Sequence, residues 1–169
     1  MRLMPLLIAI AALPATAFAA ESKPEIDRAP AAPQAVGAAH TLRTIPEACA
    51  RLEGVFTGVA ADPYQFAVVR TSPTCQPRAR FVDAAKVKPS GAGGWVLNDL
   101  IRVPNAGCAS QLAVVQVWRK PGQADPPKLD AQGRARIYLD DSKRAKSADP
   151  LSAVTVFSAA MAVEGKPCN

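Results

Sequence analysis

Cys108-Ala-Ser-Gln-Leu-Ala-Val-Val-Gln-Val-Trp-Arg-Lys120 is the longest apolar run outside the N-terminus. It is rich in β-branched and aromatic side chains. With a strand's period of two, Leu112, Val114 and Trp118 point one way and Ala113, Val115 and Val117 the other. A strand apolar on both sides belongs in the middle of a sheet covered on both faces. A cysteine stands at its head and Pro121-Gly122 closes its end, so the other elements are read as packing onto it.

Upstream, Val55 to Ala60 alternates and Asp62-Pro63 turns the chain. Tyr64-Gln-Phe-Ala-Val-Val-Arg70 then reads as a strand with Tyr64, Phe66 and Val68 on one face. Thr71 to Pro77 is a loop, and Arg78 to Asp83 an edge strand whose Arg78 and Arg80 discourage edge-to-edge association. Lys88-Pro-Ser-Gly-Ala-Gly-Gly94 is a turn, since it lacks the spacing and the Lys-Ser/Thr of a phosphate cradle. Trp95 to Val103 makes a strand in which Asp99 falls on the face of Leu97 and Ile101. Either a bulge shifts the register there or Asp99 sits at the rim.

Downstream of the central run, Lys120 to Gln132 is a polar loop. Gly133 to Asp140 reads as a strand with Ala135, Ile137 and Leu139 inward and Arg134, Arg136 and Tyr138 outward. Leu151 to Val163 alternates as a last strand, although the alanines after Ser158 leave a helix open. At the other end, Thr44-Ile-Pro-Glu47 fits a capped helix start, with Pro46 to Glu53 helical and Gly54 as its stop. The pattern predicts a mainly β fold, an antiparallel sandwich or small barrel of about seven strands with one short N-terminal helix and two disulfides.

Met1-Arg2, the apolar Leu3 to Leu13 and the small-x-small pattern of Pro14-Ala-Thr-Ala-Phe-Ala19 have the layout of an export signal, so residues 1–19 are expected to be removed. No stretch approaches the ~20 apolar residues that span a bilayer, so no transmembrane segment is expected in the mature chain. Residues 20–43 hold Pro24, Pro30 and Pro33 and few large apolar groups, and read as a flexible Pro/Ala-rich linker. The remainder, 44–169, is expected to be a disulfide-stapled β domain in the periplasm or beyond it. Cys49, Cys75, Cys108 and Cys168 make an even count suited to an oxidising compartment. Of three possible pairings, Cys49–Cys75 and Cys108–Cys168 are preferred. Cys49 and Cys75 stand equally far from a turn at residue 62, while Cys108 opens the central strand and Cys168 follows the last one.

Lys and Arg outnumber Asp and Glu by 20 to 14, a formal charge of +6 that favours anionic partners. No basic helical stripe or aromatic–basic interleaving supports nucleic-acid binding. No C-x-x-C pair exists, and the only histidine, His40, lies far from the cysteines, so neither a metal nor another cofactor is expected. A nucleophile needs an adjacent base, and His40 falls in the expected linker. Carboxylate chemistry has the candidates Asp83, Asp99, Asp140 and Asp141. Binding falls to Arg134, Arg136 and Tyr138 with Arg119 and Lys120 at a strand end, since arginine and tyrosine are enriched at protein contacts; an ordinary solvated sheet face would use the same residues. The expected function is an exported, non-catalytic module that contacts a protein or anionic envelope component, as an inhibitor, immunity-type or envelope accessory factor. The alternative is a carboxylate-dependent hydrolase acting on cell-wall or polysaccharide substrate.

Overall fold

In a computed structural model of the chain, residues 23–123, 131–132 and 154–168 are described. Their elements are β1 (His40–Ile45), a 3-10 turn (Pro46–Ala48), β2 (Ala50–Phe56), β3 (Tyr64–Arg70), β4 (Ala79–Asp83), α1 (Ala84–Val87), a second 3-10 turn (Gly91–Gly93), β5 (Val96–Asn105), β6 (Cys108–Lys120) and β7 (Thr155–Gly165). The strands form a sheet of three, in the order β1-β2-β3, and a sheet of four, in the order β4-β7-β6-β5.

The apolar run is β6, an interior strand hydrogen-bonded to β5 on one side and β7 on the other. Its Ala113, Val115 and Val117 are fully buried in a core shared by both sheets. Ile101 and Val103 of β5 and Phe157 of β7 meet Leu42, Ile45, Leu52, Phe56 and Tyr64 of the smaller sheet there. The opposite face of β6 is less deeply covered, for Val114 is buried whereas Leu112 and Trp118 are half-buried.

Antiparallel pairing of β6 with β7 sets Gln111 opposite Gly165. Continuing that register by three residues on each strand brings Cys108 opposite Cys168, and the two are bonded as expected. Gly165 is indispensable to the approach. Its φ is +95°, and a Cβ there would lie 1.6 Å from the Ser110 carbonyl oxygen.

Cys49–Cys75 is also bonded, but the mirror argument for it has the wrong centre. In the β2–β3 hairpin Phe56 faces Tyr64 and Ala50 faces Arg70, so the register is symmetric about residue 60 and places Thr71 beside Cys49. Thr71 donates its N–H to the Cys49 carbonyl at 3.0 Å, and the following loop brings Cys75 back to the sulfur.

The helix expected over Pro46 to Glu53 is a single 3-10 turn. Cys49 ends it in the left-handed region, with φ 51°, and β2 starts at the next residue. Ala50, Leu52, Gly54 and Phe56 are buried in alternation with half-buried Arg51, Glu53 and Val55. Burial at a period of two outweighed the capping signals. The one α-helix among the described residues is instead α1, started by the Asp83 side chain accepting from the Ala85 N–H at 3.0 Å.

Two further expectations need correction. β4 is an edge strand as expected, but it pairs with β7 in parallel, with Phe81 opposite Phe157, so the larger sheet is mixed. A parallel pair needs a long connection, and here β5 and β6 intervene in sequence. Ordered structure also begins before Thr44. Where composition suggested a flexible linker over 20–43, residues 25–34 lie along β5, Val36 bridges to Phe56 of β2 and His40–Ile45 form β1. The last element, read as a strand with a helix left open, is the strand β7. The strand expected over 133–140 lies outside the described residues, as does the expected export signal.

Candidate functional site

Arg119 is drawn inward. Its guanidinium donates to both oxygens of the Glu25 carboxylate, whose Oε2 also accepts from Asn98 Nδ2 at 2.7 Å. The Arg119 bond, then the Asn98 bond, holds the Glu25 carboxyl below its usual range, and the same contact raises Arg119. Arg119 therefore fastens the N-terminal segment to β6. Lys120 is exposed at the end of β6. Arg134, Arg136 and Tyr138 lie outside the described residues.

Two of the four carboxylate candidates have structural duties. Asp83 caps α1. Asp99 is fully buried at the bulge of β5, where Arg28 Nε donates to Oδ1 at 2.9 Å and Arg28 Nη2 stands 2.9 Å from Oδ2. Arg43 Nη1 lies 3.2 Å from Oδ2, outside good hydrogen-bond geometry, so that contact is Coulombic. Burial pulls the Arg43 guanidinium below its usual range and the Asp99 charge opposes the shift. Asp140 and Asp141 lie outside the described residues.

His40 is tied to Tyr64. Its Nδ1 faces the Ala38 carbonyl at 3.2 Å and must donate, which leaves Nε2 to accept from the Tyr64 hydroxyl at 2.8 Å. Tyr64 is fully buried, packs edge-on to Phe56 at 4.7 Å, and has its phenol pushed up by burial. Gly54 makes the room, because a Cβ there would fall 1.8 Å from the Tyr64 oxygen. The ring pair is a polar contact at the margin of the core.

An open site occurs elsewhere, in a seam between the edge strands β3 and β4. Val68 is opposite the fully buried Leu52 and so lies on the core-facing side of the small sheet, yet it is 44% exposed. The cover of the core ends before the end of β3. The resulting groove, about 340 Å³, is lined by Val68, Val69 and Arg70 of β3, by Ala79, Arg80 and Phe81 of β4, and by Ala48, Cys49, Ala50 and Pro77 beneath them.

Covalent and polar ties hold the seam's shape. Cys49–Cys75 anchors the loop between β3 and β4. Arg70 folds that loop by donating to the carbonyls of Ser72, Pro73 and Cys75 at 2.9, 3.1 and 3.0 Å. The Arg78 N–H donates to the Glu47 carbonyl at 2.7 Å, joining the start of β4 to the 3-10 turn. Among the described residues neither Arg70 nor Arg80 has a carboxylate partner, so the groove carries two uncompensated positive charges.

Sequence reasoning found the inward face of β3 but not its missing cover, since exposure of an inward residue depends on where the second sheet ends. No family model, curated protein or solved structure matches the chain.

Proposed function

We propose that this chain is an exported, non-catalytic binding module, periplasmic or secreted, that contacts a protein or an anionic envelope component as an inhibitor, immunity-type or accessory factor. The observation that carries the reading is the seam, an apolar groove with a basic lining and no carboxylate, histidine or free thiol in its wall. Two disulfides suit an oxidising compartment. Among the described residues no helix is long and apolar enough to cross a membrane. The two sheets are read as an open-sided sandwich, because among the described residues β3 and β4 end their sheets without a further partner strand. Lys120, Arg134, Arg136 and Tyr138 are proposed as contact residues besides the seam, whereas Arg119 serves the internal tie to Glu25.

The placements of Asp83 and Asp99 favour no hydrolase: one caps a helix and the other is buried under two guanidinium groups. The test is retention of envelope components on the immobilised, oxidised protein at low and at moderate salt. A specific component retained by the native protein and lost on reductive unfolding is the expected result. Nothing specific at either salt, or wall-degrading activity in the purified protein, contradicts the reading.

A further inference from the structure

We propose that the seam takes an extended, carboxylate-bearing peptide segment of a partner protein, which adds as a strand to the edge of β3 that is unpaired among the described residues. The inference rests on the binding-module reading and names its partner chemistry.

Three observations converge on it. β3 ends its sheet, and among the described residues no backbone hydrogen bond reaches the outer edge of Gln65 to Val69. A sheet edge in this state offers a row of main-chain donors and acceptors, which is what strand addition uses. Val68, an inward-facing apolar side chain left 44% exposed, offers contact to alternate side chains of an added strand, and Phe81 lines the far wall.

Charge then selects the partner. Arg70 and Arg80 both line the groove. Arg70 is bonded only to neutral carbonyls, and Arg80 meets no acid among the described residues. Two nearby acids do not neutralise them. Asp83 is engaged at the start of α1, and Glu47 approaches β4 through its backbone carbonyl while its side chain is exposed. A carboxylate entering this apolar-walled groove gains more from the guanidinium charges than it would in open water. Phosphate on a flexible single strand would answer the charge, but not the unpaired strand edge or the apolar wall.

The test uses the intact, oxidised chain, isotope-labelled for NMR, titrated with an alternating Val–Glu peptide of about eight residues, a strand's usual length range. Its Val–Lys counterpart and a Val–Glu peptide N-methylated at alternate residues serve as comparisons. Saturable shifts centred on β3 and β4 are expected, with roughly tenfold weaker binding of the Val–Lys peptide and loss of binding on N-methylation. Arg80→Glu, with its spectrum otherwise native, should weaken the Val–Glu peptide about tenfold and strengthen the Val–Lys one.

Equal affinity for both peptides, shifts centred elsewhere, no binding, or self-association through β3 overturns the proposal. An envelope component retained undiminished by Arg80→Glu overturns the seam assignment and leaves the binding module standing. Absence of any retained component removes the module reading itself.

Discussion

The two sides of this molecule treat their strand edges in opposite ways. Beside β5 the chain covers the edge with its own N-terminal segment. Glu25, Ile26, Ala31 and Gln34 donate N–H groups to the carbonyls of Leu97, Asn98, Arg102 and Pro104 at 2.8–2.9 Å. Glu25 with Arg119, and Arg28 with Asp99, clamp it down. Beside β3 and β4 the described chain supplies no such cover, and a disulfide and arginine-to-carbonyl bonds hold the groove's shape instead. An exposed edge invites pairing with other chains. Among the described residues one edge is closed with a charge network and another is open over an apolar wall, and the open one is the side proposed above for contact.

The largest expected effect tests the closed side. Asp99→Ala leaves Arg43, whose side chain is only 14% exposed, without its counter-charge, and should cost about 3–5 kcal/mol in urea unfolding. A cost below about 1 kcal/mol would show that the network does not hold the strap. Next, removing Cys49–Cys75 by paired alanines should cost roughly 3 kcal/mol and loosen the seam's loop. Amide exchange in 71–77 would report that loosening directly.

Tyr64→Phe should cost about 1 kcal/mol by removing one hydrogen bond. The folded Tyr64 phenol lies above its ordinary 10.0. Its stabilising contribution is therefore full below pH 10.0 and is lost as pH rises toward the folded value. Alkaline unfolding curves should accordingly be shallower in the variant.

Glu25→Gln has a smaller effect, under about 1 kcal/mol, because the carboxylate is partly solvated. Its folded carboxyl lies below the ordinary 4.5, so the contribution is present above that value and lost as pH falls beneath it. The protection of the Ile26 amide, its exchange taken relative to the intrinsic rate at each pH, should fall in acid in the native protein and vary less with pH in the variant. The smallest stability change belongs to the open side. Arg80→Glu should stay within about 0.5 kcal/mol of native, while altering peptide binding as described above.

Much of the larger sheet was legible. β6 declares itself through an apolar run flanked by a cysteine and a Pro-Gly turn, and an acid falling on an apolar face left a bulge or a rim position at Asp99, of which the structure has the bulge. β2 was legible in principle, for Ala50-Arg-Leu-Glu-Gly-Val-Phe56 alternates, with Arg51 and Glu53 forming an ion pair on its outer side. The capping residues ahead of it suggested a helix, and only the left-handed Cys49 resolves the conflict.

The strap was not legible, because its hold comes from backbone donors between prolines and from partners more than seventy residues away. No local periodicity records such contacts. The seam was half legible. Val68 was correctly placed with Tyr64 and Phe66, but where the facing sheet stops is a property of the whole assembly.

Single-amide hydrogen exchange on the oxidised, unliganded protein tests the contrast most directly. The account predicts slow exchange at Glu25, Ile26, Ala31 and Gln34, which bond to β5, and fast exchange at the amides of β3 that point away from β2. Fast exchange along 25–34 together with uniform protection across β3 would contradict it.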